Sequence, residues 1–161
     1  MITAPDAEAL LRGAALRVTR PRVAVLTAVY DNPHADTDTL YRVVRRDFGD
    51  VSRQAVYDVL RALDAAGLVR RIEPAGLVAR YESRVGDDHH HVVCRSCGEI
   101  ADVDGAVGDT RCLTPAGDHG YAVDGVEVVY RGLCPACTTR SGGDAPATAT
   151  TSMPKGEQRE Q

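Results

Sequence analysis

The sequence of 161 residues predicts an α+β fold in which amphipathic helices come first and short strands follow. Two observations support this prediction. Apolar residues recur at helical spacing in four segments before residue 67, and each segment has a capping or breaking residue near its ends. Two Cys-x-x-Cys pairs then frame a stretch of short strand-like runs. The chain is therefore expected to form a helical front half and a smaller α/β half that its own paired cysteines hold together.

The first two predicted helices are set by their breakers. One covers residues 7–16, where Leu and Ala recur at helical spacing. The second begins after Thr19, a capping residue, and carries Pro21 in its first turn. Asn32 and Pro33 end it, because proline cannot continue a helix.

The next two predicted helices have clearer caps. Asp36 or Thr37 caps the third, which ends near Gly49. Ser52 caps the fourth, and Gly67 ends it in the usual position after a helix. Two strand-like runs follow at residues 68–72 and 77–82, and they predict a β-hairpin. Helices followed by such a hairpin are the order of a winged helix-turn-helix domain.

A winged helix-turn-helix reads DNA with the exposed face of its recognition helix. The fourth helix presents arginine, amide and hydroxyl side chains, which suit guanine, adenine and phosphate: Arg53, Gln54, Tyr57 and Arg61. Arg70, Arg71 and Arg80 on the hairpin are candidates for phosphate contacts. The alternative is an ordinary solvated helix face, which most helices possess.

The second half contains less helix. Strands are predicted at residues 91–94, 99–103 and 126–130, with a short helix at best between residues 105 and 120. The predicted organisation is a DNA-binding domain at 1–84, an acidic hinge at 85–88, a second domain at 89–137 and a disordered tail at 138–161.

Four cysteines form the most specific pattern in the chain. Cys94 and Cys97 make one pair, and Cys134 and Cys137 make the other. Two thiolates on each of two tight turns complete a tetrahedron around zinc, and Gly98 supplies the backbone freedom of the first turn. The alternatives are redox disulfides or ordinary buried thiols. Cys112 is left over and is expected to be a packed or inert thiol.

A second candidate metal cluster precedes the first cysteine pair. Asp87 and Asp88 lead into three histidines, of which His89 and His91 point to the same side of a strand. Asp102 follows a few residues after the cysteines. Imidazole and carboxylate ligands suit divalent iron, manganese or zinc. A solvated histidine-rich turn is the alternative.

Hydropathy and charge narrow the function classes. No apolar run reaches the roughly 20 residues that span a bilayer, and residues 1–6 do not form a signal peptide, so the chain is expected in the cytoplasm and not in a membrane. Residues 1–84 carry 13 Arg against 11 acidic residues, a net +2. Residues 85–161 carry 6 basic against 12 acidic residues, a net −6. Charges this modest do not by themselves indicate nucleic-acid binding.

Taken together, these motifs resemble the ferric uptake regulator (Fur) family of bacterial metal-dependent repressors. The resemblance spans about residues 8–137 and is strongest to the actinobacterial branch associated with catalase genes. It rests on the order and spacing of five segments: residues 33–41 (PHADTDTLY), 52–57 (SRQAVY), 80–82 (RYE), 89–98 (HHHVVCRSCG) and 134–137 (CPAC).

The resemblance implies a site assignment and a mechanism. The four paired cysteines would hold structural zinc in a dimerisation domain. A regulatory iron or manganese ion would bridge the two domains through five ligands: His34, Glu82, His89, His91 and Asp102. The bridged homodimer would then bind operator DNA through a set of exposed side chains: Arg20, Arg53, Gln54, Tyr57 and Arg61.

The resemblance also implies a signal. Asp102 resembles the peroxide-sensing branch, in which ferrous iron promotes oxidation of a ligand histidine, here His34 or His91, and the repressor leaves its operator. Manganese in the same site would leave the protein insensitive to peroxide. No small molecule other than metal and peroxide is expected to bind. Glu82 departs from the branch, which usually carries aspartate there.

Three other functions remain open from the sequence. The protein would be an iron- or zinc-homeostasis repressor of the same family, or a redox regulator that senses through its cysteines. A metalloenzyme is the third, because histidine and carboxylate ligands can leave a coordination position for water. No general base or Gly-rich phosphate loop accompanies the ligands, so an enzyme is not expected.

Overall fold

The computed structural model describes residues 2–74, 77–87, 89–104, 119–122 and 128–140. Its helices are α1 (Ala4–Gly13), α2 (Arg20–Asp31), α3 (Thr37–Phe48), α4 (Arg53–Ala65) and α5 (Pro135–Arg140). Its strands are β1 (Ala35–Asp36), β2 (Arg70–Ile72), β3 (Arg80–Glu82), β4 (His89–Cys94), β5 (Ile100–Asp104) and β6 (Val129–Gly132). None of the helices in the described ranges has the length and apolar character of a membrane span. Cys112 and residues 141–161 lie outside the described residues.

The three predicted caps lie at the starts of their helices. Thr19 caps α2, the Asp36 carboxylate accepts the Thr39 N–H at 2.7 Å, and Ser52 Oγ accepts the Ala55 N–H at 3.1 Å. The predicted start of α1 at residue 7 is wrong. The helix starts at Ala4, because Thr3 and Asp6 form a reciprocal capping box upstream of the first leucine.

Leucines on the inner faces of the first four helices form the core. Leu11, Leu26, Leu40 and Leu60 are completely buried, one from each of α1 to α4. Burying a side chain of this size stabilises a fold by about 2 kcal/mol. This packing fixes α3 and α4 against each other and leaves the N-terminal part of α4 on the surface.

A three-stranded sheet of order β1-β3-β2 follows the helices. The β2–β3 hairpin, with its connecting loop, is the wing; its strands are shorter than predicted. Strand β1 was not predicted, because two residues carry no detectable periodicity and Ala35 becomes a strand only by pairing with Tyr81. His34 extends this contact, since its N–H donates to the Tyr81 carbonyl at 2.9 Å.

A second sheet has the order β5-β4-β6. Antiparallel pairing of β4 with β5 places His91 opposite Asp102. Parallel pairing of β4 with β6 places Cys94 opposite Gly132, two residues before Cys134. Strand β4 begins at His89, two residues earlier than predicted, so both candidate ligand histidines lie within one strand.

The short helix α5 corrects one detail of the predicted organisation. Thr138–Arg140 were expected to begin the disordered tail, but they form the end of α5. Both the N–H and the hydroxyl of Thr138 donate to the Cys134 carbonyl, at 2.9 and 3.1 Å. The helix therefore continues from the second cysteine pair and helps to hold it in place.

Candidate metal centres and nucleic-acid interface

The four paired cysteines converge at one end of the second sheet. Cys94 ends β4, and Cys134 immediately precedes α5. All four Sγ atoms lie within 4.8 Å of one another, and Cys97 Sγ is 3.7 Å from Cys134 Sγ. Zinc–sulfur bonds of about 2.3 Å place tetrahedral sulfurs about 3.8 Å apart, so this geometry fits zinc. Gly98 closes the first turn at φ +76°.

The electrostatics of the cysteines also favour a cation. Backbone N–H groups of Cys134 and Cys97 donate to the Cys94 sulfur and lower the pKa of that thiol to about 6. The Glu99 carboxylate is the largest cause that raises the pKa of Cys134, to about 12. Four adjacent thiolates repel one another, so all four become anionic together only when a positive ion lies between them.

The second cluster contains donors from both sheets. His34, Glu82, His91 and Asp102 each offer one atom, and these atoms lie within 4.8 Å of one another. Glu82 Oε2 is 3.2 Å from His34 Nε2 and 3.0 Å from His91 Nε2. Asp102 Oδ1 is 2.8 Å from His34 Nε2. Ligands about 2.1 Å from an ion are separated by about 3.0–3.5 Å, so the donors are close to ligand spacing.

His89 lies beside this group of four. Its Nε2 is 3.2 Å from Glu82 Oε1, and its ring contacts the His91 ring with centroids 4.9 Å apart. The His89 side chain is fully buried. The structure therefore brings together four of the five predicted ligands and places the fifth next to their shared carboxylate.

Glu82 is the electrostatic centre of the cluster. Burial by itself would raise the pKa of this carboxyl group, but hydrogen bonds with His34 and His91 outweigh burial and lower the pKa to about 2. The hydrogen bond to Glu82 in turn raises the pKa of His34, against the opposing effect of burial. Glu82 Oε1 is buried and lies 3.2 Å from His89 Nε2, but no described residue gives it a well-aligned hydrogen bond. A buried acceptor in this state fits a divalent cation bound by carboxylate and imidazole.

His34 reaches the cluster through an unusual backbone. It lies between α2 and β1 and has φ +59°, in the left-handed region that few residues other than glycine adopt. Pairing of β1 with β3 then holds it beside Glu82. No periodicity in the sequence indicates this placement, and only the family resemblance identified His34.

The candidate DNA-reading residues are divided between two environments. Arg53, Tyr57 and Arg61 line a groove of about 680 Å³ between α4 and the wing, and Arg71 and Val78 line its other side. Arg20 and Gln54 are exposed but do not line this groove.

Two internal contacts of this face were not predicted. The Arg53 guanidinium is 2.5 Å from the Asp38 carboxylate and lies over the Tyr41 ring, 5.2 Å from its centroid. The Gln54 amide donates to Asp58 at 2.9 Å. Asp38 gave no signal in the sequence, because an acidic residue in the first turn of a helix is common for dipole reasons alone.

The hairpin arginines also divide. Arg71 lines the groove, whereas Arg70 and Arg80 lie beside the second cluster. Arg70 Nε is 3.9 Å from Glu82 Oε1, and Arg80 Nη1 is 3.5 Å from the His34 carbonyl. The structure therefore does not place Arg70 and Arg80 with the groove, since both side chains are directed towards the junction of the two sheets.

Fold and site together define a winged-helix protein with two candidate metal centres. The model of the ferric uptake regulator family matches residues 13–131. The chain therefore belongs to the ferric uptake regulator family, whose members are transcription regulators and not enzymes. Membership of this family therefore excludes the metalloenzyme hypothesis.

Individual relatives agree with the family assignment. The chain is 64% identical over 138 residues to the transcriptional regulator FurA of Mycobacterium tuberculosis, which covers 86% of this chain and 94% of that protein. The Vibrio cholerae ferric uptake regulator is 27% identical with a TM-score of 0.65, over 80% of this chain and all of that one. The Pseudomonas aeruginosa ferric uptake regulator, solved with manganese, is 29% identical with a TM-score of 0.63, over 80% and 98%. The predicted α+β fold class is confirmed by these matches.

Proposed function

We propose that this chain is a metal-dependent, homodimeric transcriptional repressor of the cytoplasm. Residues 1–84 bind operator DNA, residues 89–137 form the dimer, and residues 85–88 are the hinge between them. One observation carries this proposal. His34 and Glu82, from the winged-helix half, lie within 4.8 Å of His91 and Asp102, from the second sheet. An ion held by all four fixes the angle between the halves, and in a dimer that angle sets the spacing of two recognition helices.

The metals follow from the donor atoms. Zinc suits the four thiolates of Cys94, Cys97, Cys134 and Cys137, whereas the mixed nitrogen and oxygen donors of the second cluster suit ferrous iron or manganese. The manganese-bound relative supports the second assignment by family likeness. His89 completes the second cluster as a fifth ligand next to Glu82.

Dimer formation is supported by the second sheet. In the described part of the chain, β6 is an edge strand, and its residues Val129 and Tyr130 are 37% and 39% exposed. An exposed apolar strand edge is a surface that a second copy can cover. We propose that operator DNA contacts the other end of the protein, at the groove lined by Arg53, Tyr57 and Arg61.

We also propose the signal and the target: peroxide releases the repressor from its operator, and the repressor controls a catalase gene. Ferrous iron, when bound, reduces peroxide and supplies the oxidant for a neighbouring side chain. His34 is the more accessible of the two candidate targets, since its side chain is 11% exposed and that of His91 is 3% exposed. A cavity of about 290 Å³ adjoins His34 and provides a route for a small oxidant. Asp102 supports the same branch through the family resemblance.

The test is fluorescence anisotropy on the DNA upstream of the chain's own gene. Zinc-loaded protein is supplied in parallel with ferrous iron and with manganese, and low micromolar peroxide is then added. We expect both metals to tighten binding and peroxide to release only the iron form, with one oxygen atom added to the peptide that contains His34 or His91. A matched His91→Ala variant is expected to keep its zinc and lose the metal response.

The other outcomes separate the alternatives. Release of both metal forms by peroxide would indicate cysteine oxidation. No release of either form would leave a metal-homeostasis repressor, and the metal that activates binding at the lowest free concentration would identify it. Operator affinity that is the same with and without metal, or unchanged in His91→Ala, would refute the domain-bridging mechanism.

A further inference from the structure

An acidic residue lies directly behind His89, on the side of the ring away from the metal cluster. Asp87 Oδ1 is 2.7 Å from His89 Nδ1. The opposite ring atom, Nε2, faces Glu82 at 3.2 Å. The His89 side chain is fully buried, so both of its ring nitrogens face protein groups. The ring is therefore held between two carboxylates, one at each nitrogen.

This contact determines which nitrogen of His89 is available to a metal. An ionised carboxylate only accepts hydrogen bonds, so Nδ1 must carry the proton that it donates to Asp87. The lone pair of the neutral ring then lies on Nε2, which faces the cluster. A carboxylate partner of this kind fixes the orientation of a ligand histidine and increases its basicity.

Asp87 is itself held in place. Arg84 Nε is 2.5 Å from Asp87 Oδ2, and Arg84 Nη2 is 2.5 Å from Asp104 Oδ1 at the end of β5. The third nitrogen, Nη1, is 3.8 Å from Asp102 Oδ2, while Asp102 Oδ1 faces His34. One guanidinium thus contacts three carboxylates and supports the cluster at two points, through Asp87 behind His89 and directly at Asp102.

We propose that Asp87, held by Arg84, is a positioning residue that presents His89 Nε2 to the regulatory metal. The inference rests on the proposed function of the cluster as a metal site. It adds Asp87 and Arg84 to the residues that determine metal affinity, although neither is a ligand. Loss of such a supporting carboxylate lowers metal affinity by about 10- to 100-fold in other sites.

The competing explanation is a surface ion pair with no role in the cluster. Asp87 and Arg84 have side chains 43% and 37% exposed, and exposed ion pairs contribute little. A suitable control exists in α3. The Asp47 carboxylate is 2.6 Å from Arg46 and its side chain is 42% exposed, but no histidine adjoins it. The two aspartates thus differ mainly in the buried imidazole.

The experiment compares Asp87→Ala with Asp47→Ala in full-length, zinc-loaded protein. Manganese affinity is measured from the electron paramagnetic resonance of the free ion. The histidine ring nitrogens of the manganese-free protein are measured by long-range ¹⁵N–¹H correlation. We expect Asp87→Ala to weaken manganese binding about 10- to 100-fold and to remove the protonated Nδ1 signal of His89, with Asp47→Ala within about twofold of the wild type. Arg84→Gln is expected to weaken binding less, because Asp87 itself remains.

Each outcome separates this inference from the function on which it rests. Unchanged manganese affinity in Asp87→Ala, or a wild-type His89 that is protonated on Nε2 alone, overturns the positioning role and leaves the repressor intact. A wild type that binds no manganese overturns both. Zinc content and thermal unfolding of each variant identify one that has merely lost its fold. In that case the wild-type His89 ring nitrogens decide, since the proton on Nδ1 is detected without any substitution.

Discussion

Substitution of Glu82 by Gln is the most direct perturbation of the bridging cluster. Glu82 is 1% exposed and its Oε2 contacts Nε2 of three histidines, at 3.0 to 3.3 Å. Gln keeps the volume but removes the negative charge, and it offers a metal only an amide oxygen. The expected result is loss of the regulatory metal with retention of zinc, because the four cysteines lie outside the cluster.

Glu82→Gln should change the free energy of unfolding both with and without manganese. At a manganese concentration 100 times the wild-type dissociation constant, binding stabilises the wild type by about 2.7 kcal/mol. If loss of the ligand weakens binding about 100-fold, the variant gains only about 0.4 kcal/mol at the same concentration. Without manganese, the shift in the Glu82 pKa from 4.5 to about 2 corresponds to about 3 kcal/mol of stabilisation. That stabilisation is fully present at neutral pH. It decreases only as pH falls below 4.5 towards the lowered pKa of the folded protein.

Urea unfolding of zinc-loaded protein, with and without manganese at neutral pH, measures both quantities. Glu8→Gln in α1 is the matched control, because Glu8 is 40% exposed and pairs with Arg12 away from the cluster. It should keep the full stabilisation by manganese. A Glu82→Gln variant that gains as much from manganese as the wild type would show that Glu82 is not a ligand, and the bridging mechanism would fail with it.

Three further predictions follow from particular contacts. Cys94→Ser should lose zinc and the folded second sheet; a stable zinc-free protein, detected by metal analysis and circular dichroism, would contradict the structural role. His34→Ala should cost the manganese-free protein more stability at about pH 6 than at about pH 8.5. The raised pKa of His34 stabilises the folded protein below pH 6.5, and this stabilisation is lost as pH rises through the raised, folded-state pKa. Urea unfolding at the two pH values measures the difference, and a cost that does not change with pH would exclude the ion pair. Asp38→Asn should free Arg53 for phosphate and steepen the dependence of log affinity on log salt by about 0.9, and an unchanged slope would show that the arginine was never masked.

What the sequence allowed to be predicted was mainly local. Ser52 and Thr19 were identified as caps because a cap acts on backbone N–H groups within three residues. The cysteine cluster was foreseeable because each half of it is a turn of four residues, and two such turns with matching chemistry have few other uses. Both patterns carry their geometry within a few residues.

Features that depend on sheet register were not predictable in this way. The contacts of Arg84 with Asp104 and Asp102 exist only because β5 pairs with β4 in one register. A shift of one residue would turn Asp102 to the other face of the sheet. Likewise, Arg80 was expected on phosphate but is directed towards His34, because β1 pairs with β3. His34 and Glu82 were identified as ligands only by family resemblance, because their spacing from the histidines and cysteines of the second half does not indicate a metal site.

The arrangement of the two halves depends on few contacts, and this gives the Glu82 experiment its wider meaning. Within the described residues, Ile72 and Pro74 of the wing meet the second sheet at Val93 and Val129, but no helix or strand of the winged-helix half makes a broad contact there. The side-chain cluster therefore contributes much of what fixes the angle between them.

If manganese tightens operator binding by a given factor, operator must tighten manganese binding by the same factor, because linkage is reciprocal. Equal coupling measured from both sides, and lost in Glu82→Gln, would place the coupling in the bridge. Coupling that persists in the variant would require a second connection between the halves, and Arg84, between the hinge and β5, would be the first place to look for it.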